Sequence, residues 1–393
     1  MIRPMPDASA QQPTPPLAGS SPHVPAPSQS GTARASESAT DILHFEKWLG
    51  MLGARKATDL HLSVGTVPAL RVDGAIVPLL EEGVITAERI ERIAEQLLSG
   101  LEMEQLRQKK QLVASKTLKK SMRFRIHFFY SRGFLGISMR HIPDIGVLLA
   151  SLPHAGALKP LVSATQGLFI ISGPFDSGRT STVRSLLSEI NRSRPCYMVT
   201  LEAPIEYLLP SDQSVVAQRE VGRDVESFAA GVAALAEEDV DVVALSAIPD
   251  KAALAGALLL ATSGRLVVAV MEGNHTVAVL ERLRDLAGEG DRARILHELG
   301  DALIGITTQL LLPKIGGGRI LVASTMVATH PIKSLVREGK FEQIPNIMQT
   351  SREQGMVTMD KALSEAVRTG AVALATAQEY AVDINQFNAL ASH

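Results

Sequence analysis

Among the residues able to do chemistry, one run stands apart: Gly173-Pro-Phe-Asp-Ser-Gly-Arg-Thr180. It fits the phosphate-binding pattern G-x-x-x-x-G-K-[ST] at Gly173, Gly178 and Thr180, and departs from it at Arg179, where the pattern has Lys. In such a loop the backbone cradles phosphates, the Lys reaches the β- and γ-phosphates and the hydroxyl meets Mg²⁺. Arginine keeps the charge but replaces a compact ammonium by a longer, planar fork. Backbone N–H groups and a helix N-terminus can still hold phosphate. Positioning a phosphoryl transfer, which depends on placement, is harder. The phosphate-binding candidates are Gly173, Pro174, Ser177, Gly178, Arg179, Thr180 and Ser181, with Thr180 as the Mg²⁺ ligand. The plainer alternative is a Gly-rich strand–helix turn that binds nothing.

The flanking elements suit the first reading. Leu168 to Ile171 reads as a short buried strand and Thr182 to Ile190 as the helix after it. From Gly167 the pattern of strand, loop and helix repeats, with apolar strands at Leu168–Ser172, Met198–Leu201, Val242–Leu245 and Leu266–Val270. Near-continuous apolar strands alternating with helices predict an α/β parallel sheet covered on both faces. From about Arg292 the chain reads as mostly helical to its end.

Ahead of this core, helical periodicity begins near Ile42 and runs through Phe45, Trp48 and Leu49. Asp59–Ser63, Ala69–Gly74, Arg123–Phe129 and Gly136–Arg140 alternate as strands, and Thr86–Leu106 reads as a helix capped by Thr86. The expected division is a disordered tail over 1–40, an α+β domain over 41–145 and an α/β core over 146–393. The tail holds eight of the 21 prolines and has no aromatic residue, so it cannot bury enough apolar surface to offset ordering entropy. Asp59 and His61 alternate with leucines on one strand and read as packing or interface residues rather than a metal site.

Composition narrows the function. A net charge of -2 gives no basis for binding nucleic acid or an anionic membrane. Cys196 is the single cysteine, which excludes a disulfide frame. No apolar run reaches the roughly 18–20 residues of a spanning helix, and no signal-peptide core is visible. A cytoplasmic protein is expected.

Further motifs carry a resemblance. Thr58-Asp-Leu-His-Leu-Ser63, Arg71-Val-Asp-Gly74, Arg123-Phe-Arg125, Arg132-Gly133, Arg140-His-Ile-Pro143, Leu201-Glu-Ala-Pro-Ile-Glu-Tyr207, Gln218-Arg-Glu-Val-Gly-Arg-Asp224, Gln309, Gly316-Gly-Gly-Arg319 and Pro331–Glu338 occur in order. Over about residues 42 to 375 the chain resembles the hexameric ATPases of type II secretion and type IV pili, most closely the pilus retraction branch. The resemblance implies a small N-terminal domain of the sensory (PAS-like) type joined to a RecA-like P-loop ATPase core. It implies ATP and Mg²⁺ as ligands, and a homo-hexamer or a mixed hexamer with an active paralogue. It also implies a pilus inner-membrane platform protein as partner, and through it a peripheral place at the inner membrane. Arg123, Arg125, Arg219 and Arg223 match positions where that family presents arginines to phosphates, and Asp241 belongs to its metal-binding strand.

The catalytic boxes depart from the family. Ser246 and Ala247 stand where it has Gly-Glu, the Glu orienting the attacking water, and a methyl group cannot do that. Glu272 stands in the place of a His, with His275 three residues on, and Ala203 replaces an Asp. Glu202, Glu206 and Glu272 remain as catalytic candidates. Three functions stay open: a degenerate, nucleotide-binding accessory subunit, a working ATPase with a rebuilt site, and a nucleotide-free scaffold.

Overall fold

The computed structural model describes residues 30–72, 74–118, 122–142 and 146–392, so most of the expected disordered tail lies outside it. Helix α1 (Ser30–Ala54) starts ahead of the expected onset near Ile42, which removes 30–40 from that tail. Ala33, Arg34, Ala35, Glu37 and Ala39 are helix formers, and they outweigh the serines between them.

Strands β1 (Asp59–Ser63), β2 (Ala69–Val72) and β3 (Ala75–Pro78) precede helices α2 (Ala87–Leu97) and α3 (Gly100–Lys109). Then follow β4 (Gln111–Leu118), β5 (Met122–Ser131) and β6 (Phe134–Ile142). These form a six-stranded antiparallel sheet in the order β3-β2-β1-β6-β5-β4. The single helix expected over Thr86–Leu106 is two, because Ser99 and Glu102 form a capping box that starts a new helix. Along β5, Phe124, Ile126 and Phe128 are fully buried with Trp48 and Ile90 in one core. The period of two then sends Arg123, Arg125 and His127 to the opposite face. The basic stretch after Gln111 is β4, hairpin partner of β5.

The second sheet begins after a short helix α4 (Ala155–Leu158). Its strands and helices are β7 (Gly167–Gly173), α5 (Arg179–Ser193), β8 (Tyr197–Glu202), β9 (Val215–Glu220), α6 (Phe228–Ala236), β10 (Val242–Leu245), α7 (Lys251–Thr262), β11 (Leu266–Glu272) and α8 (Thr276–Ala302). The expected helical C-terminal part is corrected at its start. Residues Leu303–Pro313 and Arg319–Val327 are two long strands, β12 and β13, and helices α9 (His330–Glu338), α10 (Ile344–Thr350), α11 (Met359–Arg368), α12 (Leu374–Glu379) and α13 (Ile384–Ala391) come after them. A β-branched apolar run, a Gly-rich turn and a second such run make a hairpin.

The strand order is β13-β12-β7-β11-β10-β8-β9, parallel throughout except for β13 against β12. Leu168 and Ile170 of β7 face α6, α7 and α8, while Phe169 and Ile171 face α5 and the segment around α4. Helices therefore cover both faces, and the sheet's carboxyl edge carries the turn from β7 into α5.

Candidate functional site

The turn after β7 is built as a phosphate cradle. A Cβ on Gly173 would lie 2.3 Å from Ser177 Oγ and 2.4 Å from the Gln309 carbonyl, so the loop closes only on glycine. Gly178 caps α5 at φ 84 with no side chain on the first-turn amides. Those N–H groups, from Arg179 to Ser181, have no intrahelical partner and point where an anion would sit. Ser177 Oγ is buried without a hydrogen-bond partner, and Thr180 is exposed in the first turn.

The cradle is braced from β12. Gln309, fully buried, donates to the Ser177 carbonyl at 2.8 Å and accepts from Thr182 Oγ1 at 3.0 Å. Ser172 Oγ lies 3.1 Å from Thr308 Oγ1. Loop and helix start are thus tied to one neighbouring strand.

Arg179 does not extend over the cradle. Its Nη1 donates to the Met271 carbonyl of β11 at 2.9 Å. Burial at that spot lowers its pKa from the usual value, with Glu272 opposing.

Three candidate carboxylates surround this point, each engaged differently. Glu202 ends β8 and accepts from Thr200 Oγ1 at 2.6 Å and Gln218 Nε2 at 2.9 Å. Burial pushes its pKa up despite those bonds. With Thr180, Val183, Leu187, Gln218 and Ser246 it lines a cavity of about 50 Å³, room for one or two waters. Glu206 is bound by Arg125 Nη1 at 2.8 Å. Glu272 lies beside Gly173 in register, 62% exposed and 3.6 Å from Arg282. Ser246 Oγ accepts from the Ala203 amide, so neither it nor Ala247 puts a carboxylate at the end of β10. His275 caps α8, with Nδ1 accepting from the Ala278 amide, and does not stand in for the missing His.

The candidate arginines divide into two groups. Arg123 reaches from the first sheet to the Glu206 carbonyl at 2.7 Å and the Ile205 carbonyl at 2.6 Å, beside the Arg125–Glu206 pair. Both thus hold the Leu201–Tyr207 segment at Ile205 and Glu206. Arg219 makes two 2.7 Å bonds to Glu238 at the end of α6, and Arg223 is exposed on the turn after β9. In this chain neither is brought to the cradle.

Asp241 is a correction. Its Oδ2 accepts from the Tyr197 amide at 2.8 Å, and it precedes β10. Register aligns Val242 with Leu266 and Leu266 with Gly167. Asp241 therefore sits at the amino edge, roughly 20 Å from Gly173 at ~3.3 Å per residue, and cannot share a metal with Thr180. Among the described residues no three of His, Cys, Asp and Glu converge on a metal position.

One site residue escaped the sequence reading because the pattern leaves its position free. Asp176 stands inside the loop in the left-handed region, at φ 63. Its Oδ1 lies 3.3 Å from Arg140 Nη1 and its Oδ2 2.7 Å from Arg319 Nη1. Arg140 also stacks on Phe175, 5.3 Å from the ring centre.

The family described as type II/IV secretion system protein matches residues 69–379. The type IV pilus retraction ATPase PilT of Pseudomonas aeruginosa is 28% identical over 346 residues, 87% of this chain and 97% of its own. The type IV pilus ATPase PilU of the same organism is 26% identical, covering 87% and 90%. A crystal structure of the pilus retraction motor PilT with bound ADP superposes with a TM-score of 0.77 at 30% identity, over 86% of this chain and 97% of that one. The Legionella pneumophila ATPase DotB shares the fold at a TM-score of 0.72 and 16% identity. Among the described residues no helix is long and apolar enough to cross a membrane. With the family matched across both sheets, the chain belongs to the type II/IV secretion system proteins, and within them it resembles the pilus retraction ATPases.

Proposed function

We propose that this chain binds ATP with Mg²⁺ at the cradle but hydrolyses it weakly or not at all, and acts as an accessory or regulatory subunit of a hexameric pilus motor. The carrying observation is the contrast at the carboxyl edge. The cradle is closed, braced and capped for phosphate, while β10 ends in Ser246 and Ala247 with no carboxylate to order a water. Gly173, Ser177, Gly178 and the first-turn amides would hold the phosphates, and Thr180 would meet the metal. The metal would supply charge neutralisation there. That PilT crystallised with ADP supports the ligand class. A homo-hexamer, or a mixed ring with an active paralogue, and a platform protein at the inner membrane fit the same reading.

A second reading has one observation behind it. Glu202, with its pKa raised by burial, shares a water-sized cavity with Thr180 and Ser246. A carboxyl tuned upward beside the phosphate site is suited to taking a proton, which describes a working ATPase with a displaced base.

Titration with a fluorescent ATP analogue and Mg²⁺, followed by phosphate release on the same sample, separates the two. Binding that Thr180→Ala weakens at least several-fold, without turnover, is the expected result. Turnover abolished by Thr180→Ala and by Glu202→Gln establishes the second reading, and no binding by wild type or Arg179→Lys leaves a scaffold.

A further inference from the structure

An acidic residue in a phosphate cradle is the least expected group in the molecule. Asp176 adds a negative charge where a polyphosphate must dock, and the fold supplies two guanidinium groups to meet it. Arg319 comes from the far end of the β12–β13 hairpin, where Gly316, Gly317 and Gly318 all take positive φ. A turn of three left-handed residues is open to glycine and few others. Arg140 comes from β6 of the first sheet. It is held in place by Asp59, whose Oδ1 lies 3.0 Å from Arg140 Nε and whose Oδ2 accepts from Thr58 Oγ1 at 2.7 Å. Asp59 is 5% exposed, so Arg140 is anchored by a buried carboxylate and not merely draped over the surface.

We propose that Asp176 is an internal anion that occupies the mouth of the cradle, and that nucleotide must displace it from Arg140 and Arg319 to bind. The inference rests on the nucleotide-binding reading above. Both arms contact a residue of the loop itself and carry the charge a phosphate oxygen would seek. Both are committed to Asp176, and through Arg140 the first sheet is fastened to the loop. When a polyphosphate docks, the arms transfer to it and Asp176 is left in solvent, where it is already 48% exposed. Affinity for nucleotide and closure of the loop by the first sheet therefore draw on the same two side chains. The pair thus acts as a built-in brake on binding that any second contact to Arg140 or Arg319 would release.

The test is a double-mutant cycle read by affinity for the fluorescent ATP analogue with Mg²⁺, on the full chain. Asp176→Asn removes the charge and keeps the backbone, since Asn accepts the left-handed region readily, so folding is not at issue. The expected result is binding tighter by about tenfold, ~1.4 kcal/mol. Arg140→Ala with Arg319→Ala then weakens binding by about tenfold in the Asp176→Asn background and by under about twofold in wild type, because in wild type those arms exchange one anion for another. The reverse order overturns the proposal. Arms that matter more in wild type are neutralising Asp176 in place, and the clamp never opens. Unchanged or weaker binding by Asp176→Asn overturns it too, while leaving nucleotide binding intact. Absence of binding in every variant removes the nucleotide-binding reading and this inference with it.

Discussion

At the scale of single residues, the site is a set of carboxylates held in unlike surroundings. Glu206 is tied to an arginine and Glu272 lies largely in solvent, whereas Glu202 is buried, and that burial raises its pKa against the opposing pull of the Thr200 and Gln218 donors. A carboxyl whose folded pKa exceeds its unfolded value binds its proton more tightly in the folded chain. Its favourable contribution is complete below the unfolded value of about 4.5 and is lost as pH rises through the folded value. Glu202→Gln cannot titrate. The stability of wild type relative to Glu202→Gln should therefore be greatest near pH 4, fall as pH rises above the unfolded value and level off once the folded value is passed, whatever the constant offset between the two. Denaturant unfolding of both proteins at a series of pH values measures it. A difference that is flat or grows with pH would show that the donors from Thr200 and Gln218 outweigh burial.

At the scale of elements, the strand–loop–helix unit was legible because each part leaves a local mark. Leu168–Ile171 is a continuous apolar run, the glycines stand at fixed spacing, and α5 follows at once. The parallel sheet was legible for the same reason. The brace on that unit was not. Gln309 is one of the landmarks of the resemblance, but it reaches Ser177 and Thr182 across more than 120 residues of sequence, and nothing local to it announces that contact. The Arg219–Glu238 pair and the Asp176 clamp are likewise created by packing of distant segments. Asp241 misled because a surviving acidic residue on the right strand says nothing of which end it occupies. β12 and β13 are bracketed by helix α8 and the five helices after them, and their apolar runs do not by period alone separate buried strand from buried helix. The brace yields its own prediction. Gln309→Ala leaves the Ser177 carbonyl and the Thr182 hydroxyl buried without partners and opens a void beneath the loop. The cost is about 2–4 kcal/mol from the unmet groups and the cavity together. Equilibrium unfolding should show that loss, with faster amide exchange confined at first to residues 173–182. A loss under ~1 kcal/mol with unchanged exchange would mean that the loop holds its shape without β12.

At the scale of the whole molecule, the two sheets meet through charge. Among the described residues no broad apolar cluster spans them, since the first sheet's core and the three cores of the second are separate groups of residues. What crosses is Arg123 to the Ile205 and Glu206 carbonyls, Arg125 to the Glu206 carboxylate, and Arg140 to Asp176. All of these leave one face of β5 and β6, and all land at the carboxyl edge of the second sheet. The alternation that buries Phe124 and Ile126 is therefore also what aims the docking arginines. Arg123 should dominate. It makes two bonds to carbonyls from a half-buried position, and burial holds its pKa below the usual value without endangering its charge. Hydrogen bonds to a charged group are worth about 1.5–3 kcal/mol each, whereas the Arg125 pair, with its arginine 38% exposed, is screened by water and worth less. Arg123→Ala should thus loosen the first sheet from the second without unfolding either. Amide exchange across 203–209 should rise by an order of magnitude or more, and the solution radius of gyration should increase. Exchange within Phe124–Phe128 should stay unchanged, because that core is closed on its own side. Arg125→Ala alone should do little. Equal effects from the two substitutions, or exchange that rises in the Phe124–Phe128 core as well, would mean that the sheets are joined by packing rather than by these arginines.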